Sequence, residues 1–171
     1  MTDSTFPWRL CTAAVLAAVV STIGIAASGN ARPAPSVTLP DRNGTVITLQ
    51  SLLGRVVLLD IWASWCPPCR TAFPAYDALY REYREKGFDV LAVNVDEKRS
   101  AAEEFLKGRE FQMRVLFDPN GTAPAGFRLR GMPTSYLIDK RGAIRFSHEG
   151  FTDTLVPQYR REIEQLLAEA P

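Results

Sequence analysis

The chain predicts an α/β domain, and three observations predict it. The run Val56-Val57-Leu58-Leu59-Asp60-Ile61-Trp62 is almost continuously apolar, the pattern of a strand buried on both faces. A helical pattern from about Pro67 to Lys86 and a second apolar run, Phe88 to Val95, follow it. Together they form a βαβ unit with parallel strands and a right-handed crossover. Hairpin signals flank that unit on both sides.

Residues 1–31 stand apart. From Leu10 to Ala31 no side chain is charged, Ala, Val, Leu and Ile dominate, and Arg9 and Arg32 flank the run. A cleaved export signal has an apolar core of roughly 7–15 residues, whereas a spanning helix needs about 20. The run is nearer the second length, so 1–31 is expected to be a signal anchor held in the membrane. Cleavage near Ala27, Gly29 or Ala31 is the other reading. Cys11 opens the run, whereas a lipoprotein cysteine would close it. Either way the domain is exported. Residues 32–36, rich in Pro, are expected to be a semi-extended linker that does not pack.

The folded domain is expected over 37–171. Val37-Thr38-Leu39 and Thr45 to Leu49 flank Asp41-Arg42-Asn43-Gly44, and Asn-Gly is a strong hairpin turn. After the strand at 56–62, Phe73, Tyr76, Tyr80 and Tyr83 recur at helical spacing. Pro74 should kink that helix and Gly87 should end it. Ser100 can cap a short helix through about Lys107, Arg114–Phe117 is a brief strand, and Asp118-Pro119-Asn120-Gly121 is a turn. Thr134–Asp139 and Ala143–Ser147 form a hairpin around Lys140-Arg141-Gly142. The last helix, near Thr154 to Glu169, places Leu155, Tyr159, Ile163 and Leu166 on one face.

Composition narrows the function. Lys plus Arg number 20 against 19 Asp plus Glu, a net charge of +1, so nothing asks for nucleic acid or an anionic surface as partner. Three cysteines are few for a disulfide-stapled fold. Zinc wants four ligands, and beyond Cys66 and Cys69 the chain offers only Cys11 and one histidine, His148. No structural zinc site can be completed from these, and His148 reads as a surface polar residue. No nucleophile elbow or phosphate-binding loop appears.

The chemistry sits in Trp65-Cys66-Pro67-Pro68-Cys69, directly after a strand and directly before a helix. That placement sets the leading thiol over backbone N–H groups and the positive end of the helix dipole, which favour the thiolate. The second cysteine lies one helical turn on and can close onto the first. The chain reads as a device for exchanging two electrons through one disulfide, with no cofactor and no metal.

These residues resemble a known family. Asp60 to Arg70, followed by Pro74, is similar to the active-site segment of thioredoxins, and Gly131-Met132-Pro133-Thr134 to Asp139 is similar to their cis-proline loop and following strand. The N-terminal hairpin, the helix near 100–107 and the exported N-terminus resemble the TlpA/ResA-like branch. The resemblance implies a thioredoxin fold: a mixed central sheet flanked by helices, with an N-terminal β-hairpin and an inserted helix. It implies an enzyme, a thiol-disulfide oxidoreductase with Cys66 as exposed nucleophile and Cys69 as buried resolving thiol. Pro133 would be a cis-proline facing the disulfide, and Trp65, Pro67, Pro68, Met132 and Pro133 would meet the substrate. It implies protein thiol and disulfide substrates, a membrane or periplasmic redox partner, and a monomeric domain on the periplasmic side of the bacterial inner membrane. Several members of that branch serve cytochrome c maturation. Two positions depart from it: Ala72 stands where many carry an acidic residue, and Asp60 where many carry Asn.

Asp60 interrupts a strand otherwise apolar enough to be buried, so its carboxyl should hold its proton more tightly than usual. That suits a base taking the proton from Cys69; a plain hydrogen-bonded core Asp is the competing reading. Trp65 reads equally as a core aromatic. Two further functions compete. A thiol peroxidase would want Thr or Ser three residues before its reactive cysteine and Pro seven before, where this chain has Ala63 and Leu59. A copper-handling protein would use the cysteine pair as soft ligands, with Met132 nearby.

Overall fold

The computed structural model describes Met1 and residues 31–171. The apolar segment expected to be a signal or anchor, with Cys11, lies outside the described residues apart from its end at Ala31. Among the described residues no helix is long and apolar enough to cross a membrane.

The chain runs β1 (Arg32–Pro33), β2 (Thr38–Pro40), β3 (Val46–Thr48), β4 (Val56–Trp62), α1 (Pro67–Tyr83), β5 (Phe88–Asn94), α2 (Arg99–Leu106), β6 (Arg114–Phe117), α3 (Thr122–Phe127), β7 (Thr134–Ile138), β8 (Ala143–Glu149) and α4 (Val156–Ala168). Six strands make one sheet in the order β1-β8-β7-β4-β5-β6. β4, β5 and β6 are parallel, while β7 pairs antiparallel to β4 and β8 to β7, so the sheet is mixed as expected. β2 and β3 form the separate N-terminal hairpin, and α2 is the inserted helix.

β4 is central and all seven of its residues are buried, so its two faces divide the core. Val57, Leu59 and Ile61 face a cluster built with Leu39, Ile47, Leu49 and Leu52 of the hairpin region and Phe127 of α3. Val56, Leu58 and Trp62 face a larger cluster with Phe73, Tyr76 and Leu79 of α1 and Tyr159, Ile163 and Leu166 of α4. Each large side chain so buried stabilises the fold by about 1.5–3 kcal/mol. That covering of both faces is why β4 has no polar alternation.

Four details differ from expectation. The 32–36 linker does pack: Arg32 pairs with Ile144 and Pro33 with Ala143, and the Ala34 N–H donates to the Gly142 carbonyl at 2.9 Å. Proline is tolerated on an edge strand, and the strand covers the open edge of β8. α3 begins inside what reads as turn and loop. Gly121 has φ 66°, and the Asp118 carboxylate accepts from the Thr122 and Ala123 N–H groups at 3.0 and 2.7 Å, which starts a helix despite Pro124. Ser100 lies within α2 rather than capping it; Lys98 holds the cap position with no side-chain bond. α1 continues through Pro74 and gives way to a 3-10 turn at Arg84–Lys86, closed by Gly87 at φ 95°.

Candidate active site

The C-terminal end of β4 leads through Ala63, Ser64 and Trp65 to Cys66, the N-cap of α1. Asp96, just past β5, holds this connection: its carboxylate accepts from the Ser64 N–H at 3.0 Å, the Ser64 hydroxyl at 3.1 Å and the Asn94 side-chain amide at 2.7 Å. The Asp96 N–H donates back to the Asn94 side-chain oxygen at 3.1 Å. Sequence reasoning missed Asp96 and Asn94. The available signal was a polar pair closing the apolar run of β5, one connection away from the cysteines.

Cys66 and Cys69 form a disulfide with a Cα–Cα separation of 5.3 Å. Pro67 and Pro68 occupy the first two helical positions and have no N–H. The first available donor is therefore the Cys69 N–H, which reaches the Cys66 Sγ at 3.3 Å. The helix N-terminus thus offers the sulfur fewer donors than a proline-free first turn would. Cys66 is not exposed as expected: it is 5% accessible and Cys69 0%. In the disulfide its sulfur is tied down beneath the first turn of α1, and the nearest protruding side chain is Trp65, 67% exposed. Trp65 is therefore not a core aromatic. Trp62 is one: it is fully buried, 4.4 Å from the Phe73 ring and 5.3 Å from Phe105.

The Met132–Pro133 peptide bond is cis. Sheet register carries this loop to the cysteines, because Thr134 pairs with Ile61, near the end of β4 that delivers Cys66. The Pro133 carbonyl accepts from the Gly150 N–H at 2.8 Å, and the Thr134 hydroxyl donates to the Gly131 carbonyl at 2.7 Å, so the loop is held on both sides.

Asp60 is fully buried, and neither carboxyl oxygen has a hydrogen-bond partner among the described residues. Burial holds its proton well above the usual carboxyl range. Ala92 and Ser135 are its neighbours on β5 and β7, and His148 of β8 is the neighbour of Ser135. Facing Ser135 are Tyr159, whose hydroxyl is 2.6 Å from the serine oxygen, and Tyr76, whose hydroxyl is 3.2 Å from that of Tyr159. His148 is not a surface residue: its side chain is 10% exposed, its Nε2 is 2.7 Å from Glu162, and its ring lies 4.6 Å from Tyr159. The docking of α4 on β8 covers it.

Among the described residues no group of three or more His, Cys, Asp or Glu side chains is placed to hold a metal ion. A surface cleft lined in part by Asp41, Arg99, Glu103 and Arg114 contains none of these site residues. What the arrangement can do is exchange a disulfide at the mouth of α1, with a titratable carboxyl buried on the same face of the sheet as Cys69.

Known proteins place the chain. Residues 31–147 match the AhpC/TSA family. Thiol-disulfide oxidoreductase ResA of Bacillus subtilis is 30% identical over 132 residues, which are 77% of this chain and 74% of that protein. ResA of Bacillus cereus is 34% identical over 113 residues, 66% of this chain but only 65% of its own length. Among solved structures, a Chlorobium tepidum protein assigned as thiol:disulfide interchange protein DsbE is 40% identical with a TM-score of 0.78, over 81% of this chain and 97% of that one. On the strength of the family match and of these relatives, the chain belongs to the AhpC/TSA family of the thioredoxin superfamily.

Proposed function

We propose that this protein is a thiol-disulfide oxidoreductase that exchanges the Cys66–Cys69 disulfide and dithiol with protein partners. The observation that carries the reading is one constellation: a disulfide at the first turn of α1, Cys66 slightly accessible and Cys69 sealed, with a buried carboxyl on the same sheet face that has no hydrogen-bond partner among the described residues. In the reducing direction the Cys66 thiolate attacks a substrate disulfide, giving a mixed disulfide and one substrate thiolate, which takes up a proton. Cys69 then gives its proton to the Asp60 carboxylate and attacks the Cys66 sulfur. The Cys66–Cys69 disulfide re-forms and the second substrate thiol leaves, so two electrons have passed to the substrate. The oxidising direction is the same sequence reversed. Trp65, Pro67 and Pro68 form the rim that a substrate meets, and the Met132–Pro133 loop faces it from the neighbouring strand.

The names of the relatives support the activity, and the sequence supports the setting: a domain on the periplasmic side of the bacterial inner membrane, anchored by the segment before Ala31. Service as a reductant in cytochrome c maturation is the pathway this branch suggests. Ala63 and Leu59, at the positions where a peroxidase would carry its Thr or Ser and its Pro, favour disulfide exchange over peroxide reduction.

The test is a pair of variants. Cys66→Ser should abolish disulfide reduction, while Cys69→Ser should trap a mixed disulfide with substrate. If Cys69→Ser reacts no faster than Cys66→Ser, the roles are wrong. Carbonate extraction of cells expressing the full chain tests the anchor; a shortened protein released with its N-terminus near Asn30 or Arg32 would exclude it.

A further inference from the structure

One backbone angle is unusual for its residue, and that residue lies on the strip of chain leading to the disulfide. Among the described residues seven glycines have positive φ, and one other residue does: Arg128, at φ 54° and ψ 48°. It is the C-cap of α3, where its N–H donates to the Ala125 carbonyl at 3.2 Å and the Leu129 N–H to the Pro124 carbonyl at 2.9 Å. Glycine is the ordinary occupant of such a left-handed helix end, because there a Cβ crowds the following carbonyl oxygen. Nothing inside the fold offsets that cost. The Arg128 side chain is exposed and takes part in no hydrogen bond, ion pair or aromatic contact among the described residues. Arg130 is likewise exposed and its side chain likewise has no partner among them. Leu129, half-buried between the two, packs against the cluster that contains Phe127, so both charged groups lie outward. Met132 and Pro133 follow, and strand register brings that loop to the cysteines. Three residues separate Arg130 from Pro133, so their Cα atoms lie within about 11 Å of each other.

We propose that Arg128 and Arg130 are specificity-determining residues, which select protein partners carrying an acidic segment beside the cysteine that Cys66 attacks. The inference rests on the disulfide-exchange reading above and names the chemistry of its partner. Fixed positive charge beside the docking loop speeds encounter with acidic segments and disfavours basic ones. No comparable pair of free cations borders the rest of the rim. Trp65, Pro67 and Pro68 are uncharged, the exposed Glu97 and Lys98 beyond Asp96 offset each other, and the Arg70 guanidinium lies over the Phe105 ring at 5.4 Å. Glu149, paired in register with Thr134, is the acidic residue the sheet brings to this loop, and it forms an ion pair with neither arginine. The net charge of +1 conceals this asymmetry because it is local. A cation that weakens the fold where it stands, and gains no contact within it, is accounted for by a contact with a partner.

The test uses the full chain with Cys11→Ser, reduced and held in detergent, so that Cys66 and Cys69 are its only thiols. Two peptides each carry one cysteine as a mixed disulfide with nitrothiobenzoate, flanked by aspartates in one and by lysines in the other. Attack of the Cys66 thiolate on the peptide sulfur joins the two and expels coloured nitrothiobenzoate. Each rate is divided by that of mercaptoethanol with the same peptide, which removes the peptide's own reactivity. The chain should favour the aspartate peptide about fivefold at low salt, the scale of one or two exposed ion pairs, and the preference should shrink at ~1 M salt. Arg128→Gly combined with Arg130→Gln should abolish the preference, and Arg128→Lys should keep it. Arg161→Gln, which removes an exposed arginine of α4, should leave it unchanged. Arg128→Gly alone should raise the denaturant midpoint while lowering the preference, opposite movements that a merely structural role would not give. No preference in the parent chain, a preference that survives the double variant, an equal loss in Arg161→Gln, or a lower midpoint in Arg128→Gly overturns the proposal. The two readings fail separately. Release of nitrothiobenzoate that persists undiminished in Cys66→Ser would remove exchange through Cys66, whereas release that needs Cys66 but shows no acidic preference overturns the assignment of the arginines alone.

Discussion

Asp96 and Asp60 are both buried, one beside the loop that delivers Cys66 and the other in the core on the face that holds Cys69, yet their surroundings are opposite. Asp96 accepts from Ser64 twice and from Asn94 once. Asp60 accepts from nothing among the described residues. Asp77, Asp89, Asp118 and Asp139, the other buried aspartates, all have partners. A carboxylate ringed by donors can serve as a fixed anchor, whereas burial without a donor makes the Asp60 carboxyl hold its proton more tightly. On the proposed mechanism, one domain would use the same side chain in two ways. On that mechanism it is Asp60, not Asp96, that would accept the proton of Cys69.

The largest effect that would sharpen this contrast is kinetic. Asp60→Asn should slow resolution of the mixed disulfide by roughly 10²-fold, the lower end of what a positioned acid–base group contributes, with first attack by Cys66 nearly intact. In wild type the resolution rate should rise with pH as Asp60 ionises, and in Asp60→Asn that limb should vanish. Stopped-flow measurement of the two steps decides it; equal resolution rates near neutral pH would break the comparison.

Asp96→Ala should act on stability instead. It leaves the Ser64 and Asn94 donors without their acceptor and should cost about 2–4 kcal/mol in denaturant unfolding, at about 1–3 kcal/mol per orphaned buried group without full additivity. If it costs no more than an exposed substitution, Asp96 is not an anchor.

Asp60→Asn should stabilise the fold, by on the order of 1–3 kcal/mol at pH 8. The sign follows from linkage. A carboxyl whose folded pKa is raised makes the native state bind more protons than the unfolded one above the ordinary carboxyl range, so wild-type stability falls as pH rises through that window. The neutral amide escapes that loss. The gain should be near zero at pH 4 and grow upward; a gain independent of pH would mean that Asp60 does not titrate there.

Trp65→Ala gives the smallest thermodynamic effect and a useful control. The side chain is 67% exposed, so unfolding free energy should change by less than about 0.5 kcal/mol. The rate of reaction with a protein disulfide should fall while the rate with a small disulfide holds. Equal losses for both would remove the substrate-contact role.

Much of this arrangement is legible in the chain because its signals are local. Apolar runs bounded by Gly87 and by the Cys-Pro-Pro-Cys segment reveal β4, α1 and β5, and the isolated Asp60 within such a run announces its own burial. The hydroxyl set is not local. Tyr76 and Tyr159 sit at helical spacing with Phe73 and Ile163 and read as parts of apolar stripes; only the docking of two helices on one sheet face joins their oxygens. The row Asp60, Ser135, His148 depends on strand register across three strands, which no spacing along the chain encodes. α3 is hidden by Pro124 and Gly126, residues that normally break helices, and by a cap supplied from Asp118 in the preceding turn.

The short strand β1 has a mechanical meaning. On the anchored reading, the residues between the bilayer and the domain act as a leash. Had 32–36 been free, their five residues would have added up to about 17 Å of slack at full extension. Zipped along β8, Arg32 and Pro33 would contribute no slack, and the pull of the leash would enter the sheet at its outer edge, across β8 and β7 from the strand that leads to Cys66. If the chain is anchored, a partner would have to come to the disulfide within a narrower shell above the membrane, and deletion of 32–34 should alter which partners can be reached before it alters the exchange chemistry.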